Sequence, residues 1–235
     1  MSDTPTDTSS EGGRALRVLD RAIEVQQPLI VGHVAKLRAR HPQKSTAELC
    51  RLLEKQYLAA VTGSGAAVGA AAAAPGVGTA ASLALSAGET VASFEATALF
   101  ALSFAELHGV QLVEIERRRT LLLSLLLGEG GSTFVTKAAG RAGGHWAKQI
   151  VSSIAIAQIT KINKVLGRNF VTKYGTKQGL LVLGRAVPFG LGAGIGAAGN
   201  AAVGWGVVRG VRRAFGDPPS ESDPTTAAES EVAAP

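Results

Sequence analysis

Residues 186–208, AVPFGLGAGIGAAGNAAVGWGVV, run from Arg185 to Arg209 without one charged side chain. As a helix this stretch would span about 34 Å, close to the thickness of a bilayer's hydrocarbon core. Three structures suit such a run: a phosphate-cradling loop, a membrane-entering helix, or a tightly packed core helix. The first rests on Gly194-Ile195-Gly196-Ala197-Ala198-Gly199, which matches G-x-G-x-x-G. That pattern carries chemistry only between a buried strand and a helix of a βαβ unit. Here it falls inside a Gly/Ala alternation with no second strand to follow, and Asp217, the one acid at a suitable distance, lies in the tail. The glycines are better explained as helix-packing surface. Gly192/Gly196 and Gly206/Gly210 are each four residues apart, so each pair lines one helix face and admits a neighbouring backbone. Arg185 at one end and Arg209, Arg212 and Arg213 at the other stand where interfacial anchors would.

A second charge-free run, from Gln56 to Gly88, has the same composition. Pro75, Gly76 and Gly78 divide it into two arms, which predicts a helical hairpin, and Gly65 and Gly69 repeat the four-residue spacing. A third apolar helix is expected from Glu89 to His108. Ser45 with Glu48 three residues on forms a capping box that starts the helix before the first arm. Further helices are expected over 14–27, 29–40, 145–166 and 188–215, with 180–183 ambiguous between strand and helix. Apolar residues are 46% of the chain but aromatics only 5%, with 29 glycines. The core must therefore gain by close approach what small side chains lack in area. The sequence predicts an all-α single domain over 14–216 with two Gly/Ala-rich hairpin-like elements suited to membrane insertion. The acidic tails 1–13 and 217–235 are expected to be disordered.

Charge is sharply partitioned. Eight of the 18 acids lie in the tails, and all 24 Lys and Arg lie between Arg14 and Arg213, which leaves the body at +14. From Gly130 to Gly216 there are twelve basic residues and no acid. Such a stretch predicts attraction to an anionic surface. The residues expected to carry it are Lys161, Lys164 and Arg168 on one side of a helix, with Arg209, Arg212 and Arg213. Nucleic acid is the minor alternative, because the aromatics of this half form no clustered stacking motif.

Nothing in the chain composes a catalytic or metal centre. His33, His41, His108 and His145 have no metal-ligand spacing, and Ser64 lacks the first glycine of a nucleophile elbow. Glu95 and Glu106 lie on one face of an apolar helix, where ion pairs with the basic half are the expected role. An enzyme using Glu89, Glu95 or Glu106 is the weakest of three hypotheses. No cofactor is expected. Cys50 is the only cysteine, which suits a reducing compartment, and the N-terminus has no signal-peptide pattern, so a cytoplasmic start is expected.

Three segments together resemble the EcsC family of bacterial helical proteins. They are YLAAVTGSGAAVGAAAAAPGVGTAASLALSAGET, ALSFAELHGVQLVEIERRRTLLLSLLLG, and PFGLGAGIGAAGN followed by VVRGVRRAFG. The resemblance covers about residues 45–216; His108 departs from it, since the family usually has Tyr there. It implies a hydrophobic, membrane-associated protein, linked by the family's name to an ABC-transporter operon, with no catalytic residues to carry over. The leading expectation is a non-enzymatic accessory or interaction protein on the cytoplasmic face of the membrane, with a membrane-protein partner. The alternative is a soluble helical module that takes a lipid or another apolar ligand.

Overall fold

The computed structural model describes residues 17, 19–23, 27–73, 79–138, 140, 145–152, 154–185 and 191–216. The tails, the hairpin tip around Pro75 and the start of the 186–208 run lie outside them. Among the described residues the fold is all-α, with no strand. After a helical turn at 19–23, the helices are α1 (Gln27–Arg40), α2 (Thr46–Ala73), α3 (Thr79–Leu107), α4 (Ile115–Leu127), α5 (Glu129–Ala138), α6 (Trp146–Ser152), α7 (Ile156–Arg185) and α8 (Leu191–Phe215).

Local chemistry sets several boundaries. At the start of α2, Ser45 N–H donates to Glu48 Oε2 at 2.9 Å and Glu48 N–H donates to Ser45 Oγ at 3.3 Å. Two otherwise orphaned donors are thereby satisfied. α3 ends where Gly109 takes a left-handed backbone, φ 67°, and Val110 N–H turns back to the Ala105 carbonyl at 2.9 Å. Gly128 (φ 71°) likewise separates α4 from α5, and Gly216 (φ 76°) ends α8. His145 adopts φ 66° without being glycine. Its N–H donates to the Arg213 carbonyl at 3.2 Å and its Nδ1 lies 2.9 Å from the Phe215 carbonyl, so two contacts with α8 hold the strained residue.

Two sequence expectations are corrected and one ambiguity is resolved. The second hairpin arm and the expected helix from Glu89 are one continuous α3. Glu89 marks no boundary because its carboxylate is buried and hydrogen-bonded inside the fold. The expected single helix 145–166 is broken between α6 and α7. At the break the Arg117 guanidinium donates to the carbonyls of Ile150 and Ile154, drawing them away from helical pairing. Residues 180–183 are helical, within α7.

α3 and α4 form the interior. Phe94, Phe100, Leu102, Phe104 and Leu107 are buried on α3, as are Leu121, Leu122, Leu123, Leu125 and Leu126 on α4. An aromatic ladder runs along one side, from Tyr57 stacked on Phe100 at 4.5 Å, through Phe104, to His108 stacked on Phe104 at 4.6 Å. Phe215 at the end of α8 closes it, 5.7 Å from Phe104. Four of the eleven aromatics, Tyr57, Phe100, Phe104 and Phe215, thus line the place where α2, α3 and α8 meet, and the small residues serve the α2–α8 crossing.

At that crossing the two charge-free runs touch. A Cβ on Gly65 would lie 2.5 Å from the Gly196 carbonyl oxygen, and one on Gly196 would fall on the Gly65 carbonyl and 3.6 Å from Gly69 Cα. Gly204, which the four-residue spacing does not single out, packs against Val61, Leu58 and Tyr57. Gly206 does not pack as expected: a Cβ there meets nothing within 4 Å, because it is turned away from α2. Gly210 faces the Leu125 side chain of α4 instead of α2, at 3.1 Å. The packing expected of Gly192 lies outside the described residues. Asn200 joins three helices: its amide donates to the Val61 carbonyl of α2 at 2.9 Å and to Glu89 Oε1 of α3 at 2.6 Å.

Candidate anion-binding surface

Between Ile156 and Phe170, α7 is amphipathic. Ile159, Ile162, Leu166 and Phe170 are buried, whereas Ile156, Thr160, Lys161, Lys164 and Arg168 face outward. Residues 156, 160, 164, 168 and 172 form one i, i+4 row, so an apolar residue, two hydroxyls and two cations stand in line. None of Lys161, Lys164 and Arg168 takes part in an ion pair among the described residues. Beside them a groove of about 580 Å³ opens between α4 and α7, lined by Arg119, Thr160, Asn163, Lys164 and Arg168 among others.

The polar floor of this groove is fixed. Asn163 is buried, donates to Glu116 Oε2 at 2.6 Å and accepts from Thr120 Oγ1 at 2.7 Å. Arg119 pairs with Asp20 at 3.1 Å. Glu116 is therefore engaged by the floor, while Lys164 and Arg168 project above it. Lysine and arginine stems lie along apolar surface and carry their charge into solvent, which suits an array of phosphates.

The other expected anion-binding residues differ in state. Arg209 is exposed. Arg212 is engaged in a two-pronged pair with Glu54, Nε to Oε1 at 2.7 Å and Nη2 to Oε2 at 2.5 Å. Arg213 pairs with Glu129 at 2.6 Å. The acid-free half is thus balanced in part by acids folded in from the other half. Glu54 is buried, so its pair with Arg212 is also an internal tie between α2 and α8.

The three carboxylates of α3 do not converge. Glu89 is buried on Asn200, Glu95 is exposed, and Glu106 lines a different cavity near Arg118. Seventeen residues of helix separate the first from the last, about 25 Å. Ion pairs to the basic half are made by Glu54 and Glu129. Burial, with Glu54 adding to it, pushes the Cys50 thiol up to about 12. It stays protonated at pH 7 and is a poor nucleophile. Among the described residues no group of three His, Cys, Asp or Glu is placed to hold a metal ion.

Sequence reasoning missed Asn200 as the partner of Glu89. The signal was present, since each is the conspicuous polar residue at or inside a charge-free run. The glycine motif at 194–199 lies within α8, flanked by no strand among the described residues. Among the described residues one helical segment, Gly88–Leu107, is long and apolar enough to cross a membrane, and 56% of it is buried within the fold.

No protein-family model matches the chain, and no curated protein or solved structure shows significant similarity to it.

Proposed function

We propose that this protein is a membrane-associated accessory or interaction protein that holds anionic headgroups on the exposed face of α7. The observation that carries this reading is the row of Lys161, Lys164 and Arg168, outward-facing, without acidic partners among the described residues, and beside a groove whose Arg119 is already paired with Asp20. Ile156, 40% exposed one turn before Thr160, supplies an apolar contact at the end of the row. On α8, Trp205 and Val203 are each 48% exposed and Arg209 follows Trp205 by one turn, a pairing suited to a membrane–water interface. The resemblance of three segments to the EcsC family supports the same reading, as does the body's charge of +14 over residues 14–216. The cytoplasmic face of the membrane, whose leaflet is anionic, is the matching location. The reading assigns no reaction and requires no cofactor.

Sedimentation with vesicles tests it. The full chain should bind phosphatidylglycerol-containing vesicles and release them as salt rises, while phosphatidylcholine vesicles bind weakly throughout. Each Lys or Arg near such a surface contributes about 1 kcal/mol, so K161Q/K164Q/R168Q should lose on the order of 100-fold in affinity at low salt. These side chains are exposed, so the unfolding midpoint should hardly move. Equal binding to neutral and anionic vesicles, indifferent to salt, would sink the reading.

A further inference from the structure

Val113, in the loop between α3 and α4, is 65% exposed, more than any other large apolar side chain among the described residues. Val31 of α1 is 56% exposed and Ile115, the first residue of α4, is 48% exposed. Val31 and Val113 line one cleft of about 210 Å³, together with the buried Ile30, Leu102 and Leu112. Single exposed apolar residues are ordinary on a protein surface, whereas a group of them around one cleft marks a contact site. The loop is held so that Val113 cannot fold inward. Val110 and Leu112 are its buried anchors, and Val110 N–H donates to the Ala105 carbonyl at 2.9 Å. The buried Arg118 guanidinium donates to the carbonyls of Leu112 and Val113, at 2.5 and 3.1 Å. A buried cation therefore fixes a loop whose apolar tip is turned to water, where it forgoes the gain of burial.

We infer that Val31, Val113 and Ile115 form an apolar wedge that enters the boundary between headgroups and acyl chains of an anionic bilayer, an inference that rests on the membrane reading of the α7 surface. The charge on both flanks of the wedge names the occupant. On one flank, Ile115 directly precedes Glu116, which lines the α4–α7 groove with Arg119, Lys164 and Arg168, so the wedge and the cationic row adjoin along α4. On the other, Val31, Ala35 and Arg38 form one exposed i, i+4, i+7 row of α1, with Lys36 and Arg40 exposed as well. None of these three α1 cations takes part in an ion pair among the described residues. The acids of this face are largely engaged. Glu114 pairs with Arg117 at 2.9 Å, Asp20 with Arg119 at 3.1 Å, and Glu116 accepts from Asn163 at 2.6 Å, while Glu106 lies within the cleft. Apolar side chains between two sets of cations match a surface that is negative at the headgroups and apolar just beneath them. The cations hold the headgroups, and the wedge supplies the part of binding that salt does not screen.

A label at position 113 tests the depth directly. Cys50 is buried and its thiol is pushed up to about 12, so in V113C the introduced cysteine alone reacts with an environment-sensitive, thiol-directed fluorophore under native conditions. T133C, on the exposed side of α5 beyond the far end of α4, is the control. With mixed phosphatidylglycerol–phosphatidylcholine vesicles at low salt, the V113C label should shift to the blue and be quenched by phosphatidylcholine carrying a nitroxide high on its acyl chain. The T133C label should do neither. Independently, V113S/I115S, which changes no charge, should lower affinity for these vesicles on the order of 10-fold and leave the unfolding midpoint unchanged, since both side chains are exposed. Blue shift and quenching that survive in K161Q/K164Q/R168Q would uphold the wedge while the α7 reading fails. Vesicle binding without a blue shift or quenching at position 113, or undiminished in V113S/I115S, overturns the inference and leaves the α7 reading standing. No binding of the full chain to these vesicles overturns both.

Discussion

Gly196→Leu is expected to destabilise the protein at or beyond the upper end of the ~1–3 kcal/mol typical of overpacking. The first added carbon already falls on the Gly65 carbonyl, which is backbone and cannot rotate aside. Even Gly196→Ala should therefore cost about 1–3 kcal/mol, although alanine is the better helix former by about 1 kcal/mol. Gly65→Ala should behave alike, since its Cβ meets the Gly196 carbonyl at 2.5 Å and the Asn200 amide nitrogen at 2.7 Å. That second contact also disturbs the amide that holds Glu89. Gly206→Ala should go the other way, stabilising by about 0.4–1 kcal/mol, because nothing lies in its path and the unfolded chain loses freedom. Urea unfolding of the three alanine variants measures the contrast. If Gly196→Ala and Gly206→Ala shifted stability equally, the α2–α8 crossing could not be as close as described.

Replacing Arg117 with Met should cost about 3 kcal/mol or more, because it strips two buried carbonyls of a charged donor. Arg117 is 8% exposed and sits in the first turns of α4, where a cation opposes the helix dipole. It is kept there because its guanidinium donates to the carbonyls of Ile150 and Ile154, while its Nε pairs with Glu114 at 2.9 Å. Those carbonyls belong to the break between α6 and α7, and each loses its charged donor in the variant, at about 1–3 kcal/mol apiece. Arg118 clamps the preceding loop in the same manner, donating to Leu112 and Val113 carbonyls at 2.5 and 3.1 Å. Arg117→Lys should fall between wild type and Met, since an ammonium keeps the charge but lacks the planar fork. Hydrogen exchange adds a spatial check: loss of protection should concentrate around residues 146–159. A change below about 0.5 kcal/mol for Arg117→Met would show that water replaces the guanidinium, and the clamp would be unimportant.

Much of the fold is legible in the local pattern of residues. Helical periodicity and missing strand signals define the all-α class, and the Ser45–Glu48 box forms as its spacing requires. These are local properties, set by neighbours three or four residues apart. The outward position of Lys161, Lys164 and Arg168 is legible for the same reason, because the opposite face of that helix is aliphatic.

What only the tertiary structure decided depends on partners far along the chain. Glycine spacing proposes which residues could pack closely, but the rotation of α8 chose Gly196 and Gly204 for contact with α2 and left Gly206 open. Charge counting makes the second half uniformly basic. Folding brought Glu54 onto Arg212 and Glu129 onto Arg213, across 158 and 84 residues of sequence. Two of three consecutive arginines became carbonyl clamps, since only the folded chain presents unpaired carbonyls to them. The order of residues dictates which groups exist and how they are spaced locally. Which of them meet depends on how helices rotate and cross, and that is decided by packing the whole core at once.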